Sequence, residues 1–436
     1  MGKLTRRARA RADYLGFMGA REWPLAASGL GVVLGVVTVL PSAVGVVLSV
    51  VALGLGLATF TRDVRLLRRR WAGFAFTAIA APFPTAELPP PSAYPPSEYL
   101  AVPARGTALV SAAIDRDLWT ERHTITVAEE PYRLPPALKA TAPHVLPLRA
   151  RGRLLFNGPI VGLRGDPLPA TGARPAPIRL HRARFFDAVC SNELGTLRIT
   201  RADTGEEYDL RKAELTDTDG ALRELSSSTL ADLVGVSTVA FTTDGKLVTV
   251  RQSSLNAVSG LLLAPSGSGS LEPRDLRTLG GGPRRFLHTT VCAGMERELC
   301  EESGLRPQDV RETKLVGFAR WMERGAKPEF FGVTELAVDS AEVAGRCPVS
   351  GERLYSAGLT LFDVDLPAIG AALGDGVPLS EALPRRIWED GSLPLLLAPP
   401  ARPPRRPGGR RGSDRFAPVL RVTGPLRSSA IVRKVP

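Results

Sequence analysis

The chain has 436 residues, 44% hydrophobic and 23% charged, with a formal net charge of +12 and a pI of about 10.0. That length allows more than one domain and a sizeable core. Its four cysteines, Cys190, Cys292, Cys300 and Cys347, form no Cys-x-x-Cys pair, so they give no signal of a zinc site or a disulfide framework, and reduced thiols on the cytoplasmic side are expected. A basic balance usually suggests nucleic acid. Here the excess lies beside an apolar N-terminal stretch and in the C-terminal tail, so no specific nucleic-acid partner is expected. The favouring of Arg over Lys, with many Ala, Gly and Pro, also fits a high-GC bacterial genome.

Residues 1–24 form a basic segment carrying Lys3, Arg6, Arg7, Arg9, Arg11 and Arg21. Two charge-free apolar stretches come next, Leu25 to Leu40 and Ala43 to Phe60, broken by Pro41-Ser42. A spanning helix needs about 20 residues, range roughly 17–25, so each is at the short end. Together they predict a transmembrane helical hairpin over 25–60. Arg62, Arg65 and Arg68 to Arg70 come after it, and basic flanks on both sides place both termini in the cytoplasm. Trp23 and Trp71 suit the interfaces. The expected location is the cell membrane, multi-pass, with the membrane itself as a partner.

Residues 61–145 read as a basic and then Pro-rich linker, through Pro89-Pro90-Pro91 and Pro95-Pro96. Tyr94 and Tyr99 stand in it as candidates for partner recognition, although a plain spacer explains them too. Residues 146–225 read as a small mixed α/β region: short strands at 151–156 and 159–163, a helix or strand over 182–188, and strands at 197–200 and 208–210. It carries no motif assignable to chemistry. His123, His144, His181 and His288 are scattered and read as structural or surface residues.

A further domain is expected over 226–397. Val236 to Thr242, Asp244-Gly245 and Lys246 to Gln252 give a hairpin signal. Residues 265–282 read as a Ser/Gly-rich loop; Ser266-Gly-Ser-Gly-Ser270 lacks the Gly-Lys-Ser/Thr end of a phosphate-binding P-loop. A helix is expected over 286–303, then strands at 314–322, 329–336 and 354–364, and helices at 367–373 and 379–388. Residues 398–436, rich in Pro, Arg and Gly, cannot bury a core and read as a disordered tail.

The helix over 286–303 carries the chemistry. Val291, Met295 and Leu299 recur every four residues as one apolar stripe, with Cys292 beside it. Glu298, Glu301 and Glu302 fall at i, i+3 and i+4 on another face. Gly304 stands where a left-handed cap requires glycine. Like charges near a helix C-terminus repel one another and oppose the macrodipole, so a positive partner is expected, and a hard cation such as Mg²⁺ takes oxygen ligands.

The run Arg297-Glu-Leu-Cys-Glu-Glu-Ser-Gly-Leu305 resembles the second half of the Nudix box, preceded by the small pair Ala293-Gly294. The first half departs from that pattern: Thr289 stands where the family has Glu, and Pro283 where it has Gly. The resemblance implies an α/β fold, a Nudix-like α/β/α sandwich, carrying here an N-terminal transmembrane hairpin and the small mixed region before it. It implies Glu298, Glu301 and Glu302 as ligands for Mg (or Mn) and as catalytic residues, with Arg297 fixing a carboxylate. It implies a distal Glu, for which Glu329, Glu323 and Glu335 are candidates, and Arg320, Arg324 and Lys327 lie nearby as possible contacts to substrate phosphates. Of these, Arg320, Lys327 and Glu329 are the preferred substrate-binding residues. The function so implied is a membrane-anchored, Mg-dependent pyrophosphohydrolase cleaving a nucleoside diphosphate linked to another moiety. The alternative is a catalytically weak or inactive module binding a nucleotide-derived small molecule at the membrane.

Overall fold

A computed structural model describes residues 3–20, 43–69, 71–78, 88–102, 105–151, 155–169, 176–208, 211–253, 261–276, 285–348, 356–365, 368–369 and 379–397. The first apolar stretch, the Pro283 position and the Arg-rich tail lie outside these residues.

The chain starts with a helix, Lys3–Ala20. It is not merely a charged segment: Phe17 and Met18 are buried, and the Phe17 ring meets Phe186 edge-on at 5.5 Å. The next described helix is Ala43–Arg69. Among the described residues no helix is long and apolar enough to cross a membrane, so the expected hairpin is not carried by the structure. The lower half of this helix turns back to the protein, with Phe60 and Val64 packed on the same core as Phe17. Trp71, expected at an interface, is 3% exposed. It sits among Phe74, Phe76 and Tyr208 and donates to the Ala137 carbonyl at 3.0 Å.

Fifteen strands are described: β1 (Phe74–Ala78), β2 (Glu98–Val102), β3 (Gly106–Val110), β4 (Thr124–Val127), β5 (Pro159–Leu163), β6 (Ile178–Arg184), β7 (Leu197–Arg201), β8 (Gly235–Phe241), β9 (Lys246–Gln252), β10 (Leu263–Pro265), β11 (Gly267–Ser270), β12 (Arg285–Phe286), β13 (Val310–Trp321), β14 (Lys327–Leu336) and β15 (Ser356–Asp363). Nine form the main sheet, ordered β10-β9-β8-β14-β13-β3-β2, with β11 on β8 and β15 on β9. Only the β14–β8 pair within it is parallel. A four-stranded sheet runs β12-β4-β6-β5, and β1 pairs with β7.

The chain is mixed α/β, and helices pack on both faces of the main sheet. On one face the helix Leu287–Ser303 lays Val291 and Met295 on Val236, Leu315, Phe318 and Phe330. On the other, Val239, Phe241 and Phe331 pack with Ile387, Leu393, Leu395 and Leu396 of two short C-terminal helices. Alternation along β8 and β14 sends successive side chains to opposite faces, and this separates Phe330 from Phe331.

Two expected boundaries do not stand. Residues 88–110, read as linker, supply β2 and β3, and β3 extends the sheet through Ala319↔Val110 and Trp321↔Ala108. Tyr94 and Tyr99 turn inward, the first to Asp166 and the second to the Leu88 carbonyl. Region 146–225 is likewise stitched to the main sheet: Val161 N–H donates to Leu271 at 2.9 Å, and Val234 N–H donates to Val161 at 3.0 Å. The apolar runs here match a sheet edge, and their backbone groups would otherwise be unpaired. In the same region, the 182–188 segment divides into strand up to Arg184 and helix from Phe185.

Candidate functional site

The site is built from the helix Leu287–Ser303 and the strand β11. Val291, Met295 and Leu299 are fully buried, so the apolar stripe fixes which way the acidic face turns. Gly304 takes the left-handed conformation, φ 73°, and its N–H caps the Cys300 carbonyl at 3.0 Å. A Cβ there would lie 2.0 Å from the Cys347 carbonyl oxygen, so glycine is required twice over, for conformation and for space.

The Ser/Gly stretch expected as a loop is β11, paired to β8 through Gly267↔Thr238 and Gly269↔Val236. Its glycines let it touch the helix. A Cβ at Gly267 would lie 2.7 Å from the Met295 carbonyl oxygen, and one at Gly269 would lie 2.1 Å from Glu298 Oε1. At this distance the strand backbone serves the carboxylates: Ser270 N–H donates to Glu298 Oε1 at 3.1 Å and Ser268 N–H to Glu302 Oε2 at 3.0 Å.

Arg297 is the centre of the ionic network. It grips Asp275 with two bonds, Nε–Oδ1 at 2.8 Å and Nη2–Oδ2 at 3.0 Å. It also donates to the Ser270 carbonyl at 2.8 Å, and Nη1 lies 2.9 Å from Glu298 and 3.2 Å from Glu301. Burial opposes its charge, but the bonds to Asp275 and the charges of Glu298 and Asp275 outweigh this and hold its pKa above the ordinary value. Arg274 takes the other oxygen of Glu301 at 3.0 Å and Glu272 at 2.8 Å. The positive partner expected for the acidic turn is thus supplied by two arginines and two strand amides. Desolvation nevertheless dominates at Glu298 and, against Arg297, raises its pKa to about 7. Such a carboxyl exchanges a proton near neutrality. Burial also pushes Cys300, within the same turn, up to about 11, which leaves it a thiol rather than a reactive thiolate.

The three carboxylates do not form a metal cage. Among the described residues no group of three or more His, Cys, Asp or Glu side chains could hold a metal ion. Glu298 and Glu302, four residues apart, both turn to β11, while Glu301 turns to Arg274 and Arg297. Thr289 is exposed in the first turn of the helix and adds no carboxylate. As arranged, the three carboxylates are held by Arg274, Arg297 and the strand amides rather than turned to one common point.

The expected substrate-binding residues lie in the interior. Arg320 is 2% exposed. It donates to the Ala326 carbonyl at 2.6 Å and to the Arg223 carbonyl at 3.3 Å, and it pairs with buried Asp166 at 3.4 Å. Lys327 and Glu329 form a buried ion pair, accommodated because Gly235 has no side chain: a Cβ there would meet Glu329 Oε2 at 1.8 Å. Arg324 pairs with Glu193. Glu323 accepts from Thr107 N–H at 2.8 Å, and Glu335 is half-buried on β14. Of these residues, Glu329 connects to the acidic helix. It accepts from Ser237 at 2.9 Å, Ser237 meets Ser268 at 3.3 Å, and the Ser268 amide holds Glu302.

Sequence reasoning passed over Asp275, Arg274, Ser268 and Ser270. The one signal that could have found β11 was the alternation of Gly and Ser, which opens one face of a strand to close approach.

No protein-family model matches the chain, and no curated protein is similar to it. Among solved structures it is similar to DR0079 from Deinococcus radiodurans, at 14% identity over 37% of this chain and 88% of that one, with a TM-score of 0.22. It is similar to the MutT protein from Methanosarcina mazei Go1, at 16% identity over 36% and 88%, TM-score 0.21. It is also similar to RenU, a Nudix hydrolase from M. smegmatis, at 15% identity over 36% and 80%, TM-score 0.19. TM-scores this low leave the fold to be judged from the chain's own topology.

Proposed function

We propose that this chain is a Nudix-type module that binds a nucleoside diphosphate linked to another moiety, and that its turnover is weak or absent. The observation that carries this reading is the engagement of all three box carboxylates: Glu298 by Arg297 and Ser270, Glu301 by Arg274 and Arg297, Glu302 by Ser268. A site held by its own arginines presents no ready cation cage. Arg274, with its side chain 48% exposed beside Glu301, is the cation placed to meet a diphosphate from solvent.

The second reading is a metal-dependent hydrolase, and one observation favours it. Glu298 and Glu302 turn to the same strand, so a cation displacing Arg297 from Glu298 would find two hard oxygen donors on one helix face. Incubating the full chain with a panel of nucleoside-diphosphate derivatives, with and without Mg²⁺ or Mn²⁺, separates the two. Saturable binding without product supports the module. Metal-dependent release of a nucleoside monophosphate establishes the hydrolase, and no binding to any member of the panel sinks both.

Membrane association belongs to this proposal as well. Val46, Val47, Val50, Val51, Leu55 and Leu57 of the helix Ala43–Arg69 are each more than 40% exposed, a run of apolar surface that water does not favour. Arg62 and Arg65 lie just beyond it, where an anionic leaflet would attract them. In cell fractionation the chain is expected in the membrane fraction and resistant to high salt; recovery in the high-salt supernatant refutes the tether.

A further inference from the structure

The N-terminal helix Lys3–Ala20 leaves a cavity of about 320 Å³ between itself and the body of the protein. Small-ligand pockets run about 300–1,000 Å³, so this one suits a slender occupant. Leu146, Leu155 and Phe186 make its apolar wall, and Tyr14 lines it from the helix. Arg7 and Arg11 line it from the helix and are themselves exposed. They stand at i and i+4, on one helix face, where like charges repel. On the same helix, Asp13 accepts from the Asn157 N–H at 2.8 Å through Oδ2.

The helix is held in place around this cavity. Besides the Asp13 bond, Phe17 meets Phe186 at 5.5 Å and Arg9 lies 5.4 Å over the Phe156 ring. Ala10, between the two arginines on the same face, is small enough to leave the space open. The result is an apolar slot with two guanidinium groups on its rim.

We propose that this cavity binds a single-chain anionic amphiphile. Its acyl chain lies against Leu146, Leu155 and Phe186, and its carboxylate or phosphate is held by Arg7 and Arg11. Guanidinium pairs bind both head groups through charge-assisted bonds, and the apolar wall removes the chain from water. This site is separate from the acidic helix and does not depend on the function proposed for it.

The test is calorimetric titration of the full chain held in detergent-free phosphatidylcholine nanodiscs, with empty nanodiscs as the blank, against dodecanoate, dodecyl phosphate, dodecanol and inorganic phosphate at submicellar concentrations. Single-site binding of both anionic amphiphiles is expected, with dodecanol and inorganic phosphate at least about tenfold weaker, because each lacks one of the two contacts. Ala10→Trp, which fills the slot, is expected to abolish binding. The exposed pair Arg7→Gln and Arg11→Gln is expected to weaken dodecanoate about tenfold and leave dodecanol unchanged. Melting curves establish that both variants fold, and the arginine variant decides the matter if Ala10→Trp does not. Equal affinity for dodecanol and dodecanoate would overturn the proposal, as would unaltered dodecanoate binding in the arginine variant. Binding to phosphatidylglycerol vesicles with no binding of free amphiphile would also overturn it, in favour of a membrane surface.

Discussion

Gly269→Ala probes the contact on which the candidate site rests. The added methyl would sit 2.1 Å from Glu298 Oε1 and 2.2 Å from its carboxyl carbon. Glu298 cannot simply swing away, because the Ser270 amide and Arg297 hold it. Overpacking of this kind costs roughly 1–3 kcal/mol, and losing a hydrogen bond to a charged group adds about 1.5–3 kcal/mol if the carboxylate is expelled. The two terms overlap, since expulsion relieves the clash, so a loss of about 2–4 kcal/mol is expected. Glu298→Ala alone leaves the Ser270 amide without its acceptor and should cost about 1–3 kcal/mol. In the double variant the new methyl occupies space the carboxylate has vacated. The pair should therefore be less destabilised than the sum of the singles, by roughly 1–2 kcal/mol. Urea denaturation of the four proteins, monitored by tryptophan fluorescence, gives this coupling. If Gly269→Ala costs under about 0.5 kcal/mol, or if the two changes simply add, β11 does not lie against the acidic helix as described.

Other consequences can be measured in the same way. Arg320→Ala removes one partner of a buried pair with Asp166 and should cost about 3–5 kcal/mol; an unchanged urea midpoint would contradict the burial of Arg320. Gly304→Ala forces a side chain into a left-handed cap against the Cys347 carbonyl, and about 1–3 kcal/mol is expected, with faster hydrogen exchange in the last turn of the helix. His181 gives a pH signature: burial first, then Arg164, lowers its pKa from 6.5 to about 4. The unfolded chain then binds the proton first, so stability is full above pH 6.5 and falls as pH drops towards 4. The loss is roughly 3 kcal/mol in total. Melting as a function of pH should show this slope flattened in His181→Gln; an identical slope in the variant would count against the buried neutral imidazole.

How much of this was legible depended on whether the signal was local. The hairpin β8–β9 is written in two apolar, β-branched runs either side of Asp244-Gly245, and its strands fall within a residue of expectation. The helix Leu287–Ser303 is written in a stripe of period four and a terminal glycine. β13, β14 and β15 also stand close to where their apolar runs put them. What could not be read was pairing at a distance. The run Gly106–Val110 is apolar enough for a strand, but the neighbouring prolines masked it, and its partner on the sheet side, β13, lies some two hundred positions away in sequence. Charge alone gave Arg320 and Lys327 as phosphate contacts, because nothing near them in sequence announces Asp166 or Gly235. For the acidic turn, charge balance correctly demanded a positive partner, but sequence could not distinguish a bound cation from the chain's own Arg274 and Arg297.

The hairpin of β2 and β3 also bears on the order in which the chain can fold. It is made early, yet its edge is completed only by β13, which emerges from the ribosome much later. Non-local pairing of this kind slows folding, since a long loop must close before any contact repays it. Until then the hairpin carries an open edge and apolar side chains, the usual substrate of holdase chaperones and of misassembly. Excising the acidic helix and its strands as a separate fragment inverts the problem: β13 would then keep its own unpaired edge. A fragment starting after the hairpin is therefore expected to aggregate, and adding residues 88–110 back in trans should rescue its solubility.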